Sequence, residues 1–274
     1  METFNQFKRF TSNLPSTPLM PVLFIGHGSP MNGIETNEFS GSWEALAGQI
    51  PLPKAVLVVS AHWFTPGTKI TAMDFPPTIH DFGGFPQALF DVNYPAPGHP
   101  ALAREAAALI TSDQLVLDHD WGLDHGAWTI IRHMYPKADI PVLQLSIDYR
   151  KSGKEHYELA KELMALRSKG VLILGSGNMV HNLRLMNWEM INGGGYDWAL
   201  SLNEKFKELI LDQDHVPLIN YGQLGSAAQL AIPTPEHYLP LLYTLGLQQA
   251  NEEATLFNDK AVGGSLTMTS VKIG

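Results

Sequence analysis

Three apolar runs in this chain break off into a histidine. Val22-Leu23-Phe24-Ile25-Gly26 leads into His27, Val56-Leu57-Val58-Val59-Ser60-Ala61 into His62, and a run from Val171 through Gly175-Ser176-Gly177-Asn178-Met179-Val180 into His181. Neutral imidazole is the commonest nitrogen ligand for zinc, iron and copper, so histidines gathered at one point predict a metal site. The chain has no cysteine, which excludes disulfides, a thiolate nucleophile and thiolate ligands, and leaves nitrogen and oxygen donors to hold any metal. Short β-branched runs bounded by Gly and Ser read as strands buried on both faces. In open α/β sheets the loops leaving the carboxyl ends of such strands build the ligand crevice, which is how residues so far apart would meet.

The elements that must position them alternate along the chain. Strands are expected at 21–25, 55–60, 142–147 and from Val171, with a closing strand over 265–271. Helices are expected after a Ser42 cap, over 101–110 and 128–134, from near Lys154, over 196–212, and from Pro235 through His237 and Leu242. Between them, residues 75–100 are rich in Pro and Gly and read as a long ordered loop, a kind of segment that tends to carry function. No internal repeat or linker interrupts this order. The fold class is therefore α/β, a single domain with a central mostly parallel sheet flanked by helices.

Other familiar chemistries fail on spacing. Gly175-Ser176-Gly177 follows a strand, but Val180 stands where a dinucleotide-binding loop needs its third glycine. The chain contains no Walker Gly-Lys-Ser/Thr, no Gly-x-Ser-x-Gly elbow and no His-Glu-x-x-His. Of the eleven histidines, His99, His119, His133, His156 and His215 lie in ordinary loop or helix sequence and are expected to be solvated or hydrogen-bonded. His80, in the long loop, suits either a pocket wall or a loop-stabilising hydrogen bond. His27, His62 and His181 share the strand-exit position.

Five motifs, in order along the chain, carry a family likeness: Gly26-His27-Gly28-Ser29-Pro30-Met31-Asn32, Ser60-Ala61-His62-Trp63, Asp124-His125-Gly126, Gly177-Asn178-Met179-Val180-His181-Asn182-Leu183 and Pro235-Glu236-His237-Tyr238-Leu239-Pro240-Leu241. Together they resemble the class III extradiol ring-cleavage dioxygenases, and more narrowly the 4,5-DOPA extradiol dioxygenase branch, from about Pro21 to the last residue. The resemblance implies an N-terminal extension over 1–20 and a catalytic domain over 21–274. It also implies one non-heme metal per chain, Zn(II) or Fe(II), and a reaction that inserts both atoms of O2 into a catechol to give a muconic semialdehyde.

By the same resemblance His27, His62 and His237 match the metal ligands, and His125 and His181 the acid-base histidines, with His181 also a candidate ligand. More distant relatives use a glutamate near the last motif, so Glu236 competes with His237 for the third position. If both lay on one helix they would point about 100° apart and could not easily share a metal. His80 and Trp63 are the candidate substrate-binding residues.

Composition bounds the partners. The net charge of −9 disfavours nucleic acid and anionic membrane, which need a basic patch. No apolar run approaches membrane-spanning length, and the first twenty residues lack the apolar core of a signal peptide, so a cytoplasmic protein acting on a small molecule is expected. Two readings of other classes compete with the dioxygenase: a zinc-dependent hydrolase or amidase using the same ligands, and a non-catalytic binding relative of the same fold.

Overall fold

The computed structural model describes residues 19–274, so all of the expected N-terminal extension except Leu19 and Met20 lies outside the described residues. Ten strands follow in chain order: β1 (Val22–Gly26), β2 (Ala55–Thr65), β3 (Lys69–Thr71), β4 (Val116–Asp118), β5 (Val142–Asp148), β6 (Val171–Gly177), β7 (Ala254–Phe257), β8 (Ala261–Val262), β9 (Leu266–Thr267) and β10 (Ser270–Ile273). Eight of them form one sheet in the order β4-β3-β5-β2-β6-β1-β10-β7, and β8 pairs with β9. The four central strands β5, β2, β6 and β1 run parallel. Outside them β10 runs antiparallel to β1 and β7 antiparallel to β10 on one side, and β3 antiparallel to β5 on the other.

Why these runs form central strands follows from their burial. Every residue of β1, β5 and β6 is buried. Side chains alternate between the two faces of the sheet, so Val22 and Phe24 join one core layer with Leu159, Phe206 and Leu242, while Leu23 and Ile25 join the other with Trp43, Trp128 and Ile131. A strand apolar at every position is stable only with helices on both sides, which is the α/β arrangement expected.

Several boundaries differ from the sequence reading, each for a local reason. The first helix spans Glu38–Ala47, because Asn37 forms a reciprocal capping box with Ser40; Ser42 lies inside the helix. The helix expected from 128 begins at His125, because Asp124 caps it by accepting from Ala127 N. The last helix spans Leu239–Gly246, after His237. The expected closing strand breaks into β9 and β10, since Met268 N turns to Lys260 O and Ser270 Oγ bonds Met268 O. Edge strand β4 and its neighbour β3 are three residues each, too short for a period to show. Among the described residues, no helix is long and apolar enough to cross a membrane.

Candidate metal centre

The carboxyl ends of β1, β2 and β6 deliver three histidines to one place. His27 directly follows β1, and its N–H continues the ladder to Gly177 O at 3.1 Å. His62 lies within β2 where the register against β5 shifts between Val59 and Phe64, an irregularity of the kind that re-aims a side chain. His181 follows β6 and is held by its own N–H to Ala231 O at 2.9 Å. Two more arrive from elsewhere: His125 as the first residue of the helix His125–Met134, and His237 from the turn before the last helix.

Two glycines make room for this crowding. A Cβ at Gly126 would stand 2.6 Å from Ser60 Oγ and 2.8 Å from His62 Cδ2, and one at Gly177 would stand 2.1 Å from His237 O. The approach at Gly177 lets Asn178 N donate to His237 O at 2.9 Å, which seats His237 on the end of β6. Behind His125, the buried Asp124 carboxylate accepts from Ser60 Oγ at 2.7 Å, from Gln144 Nε2 at 2.7 Å and from Ala127 N at 3.1 Å. Burial and the nearby Asp81 raise its pKa despite those donors.

His27, His62 and His237 each offer a nitrogen within 4.8 Å of the other two. The far side of each ring meets an oxygen. Ser176 Oγ donates to the Gly126 carbonyl at 2.5 Å, so with its one proton committed it must accept from His27 Nδ1, 3.0 Å away. His62 Nδ1 lies 3.5 Å from Asp81 Oδ2, and His237 Nδ1 lies 3.3 Å from Glu236 Oε1. Each partner turns a protonated Nδ1 outward and leaves Nε2 as the bare nitrogen, the usual arrangement of metal-ligating histidines.

The fit to a metal can be tested on one contact. His27 Nε2 and His62 Nε2 are 3.1 Å apart. With both Nδ1 atoms protonated, two lone pairs face each other, and a cation between them reconciles the contact. Metal–nitrogen bonds of about 2.05 Å in a tetrahedron would set the nitrogens about 3.3 Å apart, close to what is seen. Electrostatics agree: burial first, then the neighbouring imidazoles, push the pKa of His27 and of His62 far below the ordinary histidine value. The rings are therefore neutral at pH 7 and their lone pairs are free.

Glu236 stands behind His237 and outside the triad of His27, His62 and His237, and neither it nor His237 is on the last helix, so the 100° separation expected of helix neighbours does not apply to them. Burial would raise the Glu236 pKa, but hydrogen bonds from His237 and Thr234 outweigh it and bring it to about 2. His181 is not part of the triad either; it stacks on His237 with ring centroids 3.6 Å apart and planes 7° apart. Burial first, then the neighbouring His237 imidazole, lower its pKa to about 3. His125 packs its ring 3.8 Å from that of His62, with Nδ1 2.9 Å from Asp81 Oδ1.

All five histidines line a cavity of about 850 Å³ whose walls include Phe39, Phe82, Phe85, Met31 and Trp188, with Glu35, Glu38 and Lys260 as its charged lining residues. Neither expected substrate-binding residue lines it. Trp63 is buried and stacks on Trp121 at 5.6 Å. His80 hydrogen-bonds Val92 O at 3.0 Å and packs behind Phe82. Sequence reasoning also passed over Asp81 and Ser176. Ser176 carries no signal in the sequence, whereas Asp81 is an acid in the long Pro- and Gly-rich loop, adjacent to His80. Of the five remaining histidines His119 is exposed, and the other four do structural work: His99 caps a helix, His133 bonds Asn32 O, His156 bonds Tyr243 and His215 bridges Tyr157 and Gln248.

Residues 21–257 match the family described as the catalytic LigB subunit of aromatic ring-opening dioxygenase. The chain is 50% identical to the 4,5-DOPA dioxygenase extradiol of Escherichia coli K12 over 94% of its own length and 96% of that protein's. It is 35% identical to the protein of the same name from Beta vulgaris, over 92% and 95%. The crystal structure of an uncharacterized protein from Escherichia coli K12 superposes with a TM-score of 0.82 at 45% identity, covering 93% of this chain and all of the other. The family match across most of the chain and the relatives at this identity show that the protein belongs to the aromatic ring-opening dioxygenase family of the LigB type.

Proposed function

We propose that this chain is an extradiol dioxygenase that opens a DOPA-type catechol next to its hydroxyls, in the cytoplasm, with residues 21–274 as one catalytic domain behind an extension over 1–20. The observation that carries the reading is the triad of His27, His62 and His237 at a cavity with aromatic walls, each ring backed by an oxygen on its outer side. These three residues would hold one divalent metal. Zinc or iron(II) bound there would supply coordination positions for both catechol oxygens and for O2, and would acidify a coordinated hydroxyl.

The chain's own residues would handle protons and position. His125 has Nδ1 against Asp81, so Nε2 is the atom available to take the second phenolic proton and to return one as the ring opens. His181, kept neutral by burial, is a second acceptor beside His237 and makes no side-chain hydrogen bond among the described residues. Phe39, Phe82 and Phe85 bound the space for the ring and keep water from it, while Glu35 and the Glu38–Lys260 ion pair suit a catechol with a charged side chain. Nothing in the site favours the hydrolase reading, and all five histidines that a non-catalytic relative would be free to lose are present.

The test is to load iron(II) anaerobically and admit air in the presence of L-DOPA. Equimolar O2 uptake and the yellow of a semialdehyde are expected, and a monophenol should give neither because it cannot chelate through two oxygens. His125→Phe should keep its metal and lose turnover by about 10²–10⁴-fold. A folded, iron-loaded sample that binds catechol yet takes up no oxygen would overturn the reading.

A further inference from the structure

The segment between β3 and β4 is anchored at several points. Ile79 N donates to Leu123 O at 2.7 Å, Leu123 N to Pro77 O at 2.8 Å, and Trp128 Nε1 to Ile79 O at 2.9 Å. Past these anchors the His80 ring packs on Phe82, Phe90 and Trp128, and Phe82 packs edge-on against the His125 ring at 5.6 Å. Asp81 lies between these two fixed aromatic neighbours. Its Oδ1 accepts from His125 N at 2.9 Å and stands 2.9 Å from His125 Nδ1, while Oδ2 stands 3.5 Å from His62 Nδ1. One carboxylate thus reaches the outer nitrogens of two functional histidines whose rings lie against each other, centroids 3.8 Å apart and planes tilted by 45°.

His125 Nδ1 is buried and has no hydrogen-bonding partner at good angle among the described residues. Asp81 is the acceptor placed to satisfy it, and a buried N–H left unmet is costly. We propose that Asp81 is a positioning residue which fixes the Nδ1–H tautomer of both rings, aiming His62 Nε2 at the metal and His125 Nε2 at the substrate. A carboxylate behind a ligating histidine raises its donor strength and holds its ring angle. Here the same group also holds the acid-base histidine, so ligand and proton carrier are locked in one relative orientation. The loop that brings Asp81 brings Phe82 and Phe85 to the cavity wall as well, which ties the substrate-facing aromatics to the same anchor.

The catalytic half of this role rests on the dioxygenase reading; the metal half does not. Full-length wild type, Asp81→Asn and Asp81→Glu are compared for zinc affinity by chelator competition, for kcat and KM after iron loading, and for ring-nitrogen chemical shifts of ¹⁵N-histidine protein with zinc bound. Asp81→Asn should weaken zinc binding by about 10–100-fold. It should lower kcat by a similar factor with KM for the catechol little changed, because Asp81 orients reacting groups without touching substrate. Asp81→Glu, which keeps the carboxylate, should recover part of both. In wild type His125 should show Nδ1 protonated and Nε2 bare, and in Asp81→Asn a mixture. Folded Asp81→Asn with wild-type zinc affinity and kcat would overturn the proposal. If Asp81→Asn does not fold, an Nε2–H tautomer of His125 in the wild type overturns it without any variant. Wild type that opens no catechol would remove the dioxygenase reading, while zinc affinity and tautomer still judge Asp81.

Discussion

At the scale of single residues, the centre is built from pairs: a ring nitrogen inward and an oxygen behind it. Ser176 holds His27, Asp81 holds His62 and Glu236 holds His237. Removing an inner member should therefore cost more than removing its partner. His27→Ala, His62→Ala and His237→Ala are each expected to purify without metal and to lose the stabilisation that bound zinc confers by mass action, read as a zinc-independent Tm. Glu236→Gln should retain metal with affinity lower by about 10-fold, the scale of an outer partner. Full metal content in His237→Ala, with loss in Glu236→Gln, would exchange their roles. Of the inner members, His27 and His62 were legible in the sequence because imidazole at a strand exit is rare and chemically pointed, whereas His237, in a turn before a helix, was legible only through the family resemblance. The outer ones were not, since a serine or an aspartate in a loop or strand has many ordinary uses. His80 shows the limit of residue type as a signal: its ring turns to Val92 O, and the adjacent Asp81 carboxylate is what reaches His125.

At the scale of elements, what brings these residues together is the parallel centre of the sheet and the helix start at His125. The long buried strands β1, β2, β5 and β6 announced themselves by continuous apolar runs. The short strands β3 and β4 and the broken end at β9 and β10 did not, because their pairing is set by neighbours and their length is below one readable period. The Asp124 cap, the Ser60–Gln144 network and Gly126 form one joint between the helix His125–Met134 and strands β2 and β5. Helix propensity alone favours Ala over Gly, yet at Gly126 the added methyl would drive into Ser60 Oγ and the His62 ring. Gly126→Ala should thus destabilise the protein by about 1–3 kcal/mol and weaken zinc binding as His62 shifts. Gly41 makes the comparison: it lies inside the helix Glu38–Ala47 and an added Cβ there meets nothing within 4 Å. Gly41→Ala should stabilise by about 0.5–1 kcal/mol. Equal Tm shifts of the same sign in the two variants would show that crowding at Gly126 is not what distinguishes them.

At the scale of the whole molecule, the fold holds a cluster of neutral histidines inside an acidic protein of net charge −9, and this makes its stability a function of pH. Burial, reinforced by the other imidazoles, lowers the pKa of His27 and His62 well below the ordinary value of 6.5 and that of His181 to about 3. His156, buried in the core beside Tyr243, is lowered to about 4 by desolvation. Above pH 7 neither the folded nor the unfolded chain protonates these rings, so they leave stability unchanged. Below 6.5 the unfolded chain takes up protons that the folded one refuses, and each such ring subtracts about 1.4 kcal/mol per pH unit until its folded-state pKa is reached. Asp81 and Glu236, whose pKa values are lowered, add a further loss, but only below about pH 4.5, where carboxylates titrate in the unfolded chain. Metal-free protein should accordingly show a Tm that is flat from pH 8 to 7 and falls steeply from 6.5 to 5. Saturating zinc should move the fall to lower pH, since a bound cation holds the imidazoles neutral and competes with protons for the same lone pairs. His27→Ala without metal should fall less steeply than metal-free wild type, because one refusing ring is gone, while keeping the share that belongs to His156. A metal-free Tm that stays level from pH 7 to 5 would mean that protons enter the cluster freely, and the neutral lone pairs on which the metal centre depends would lose their physical basis.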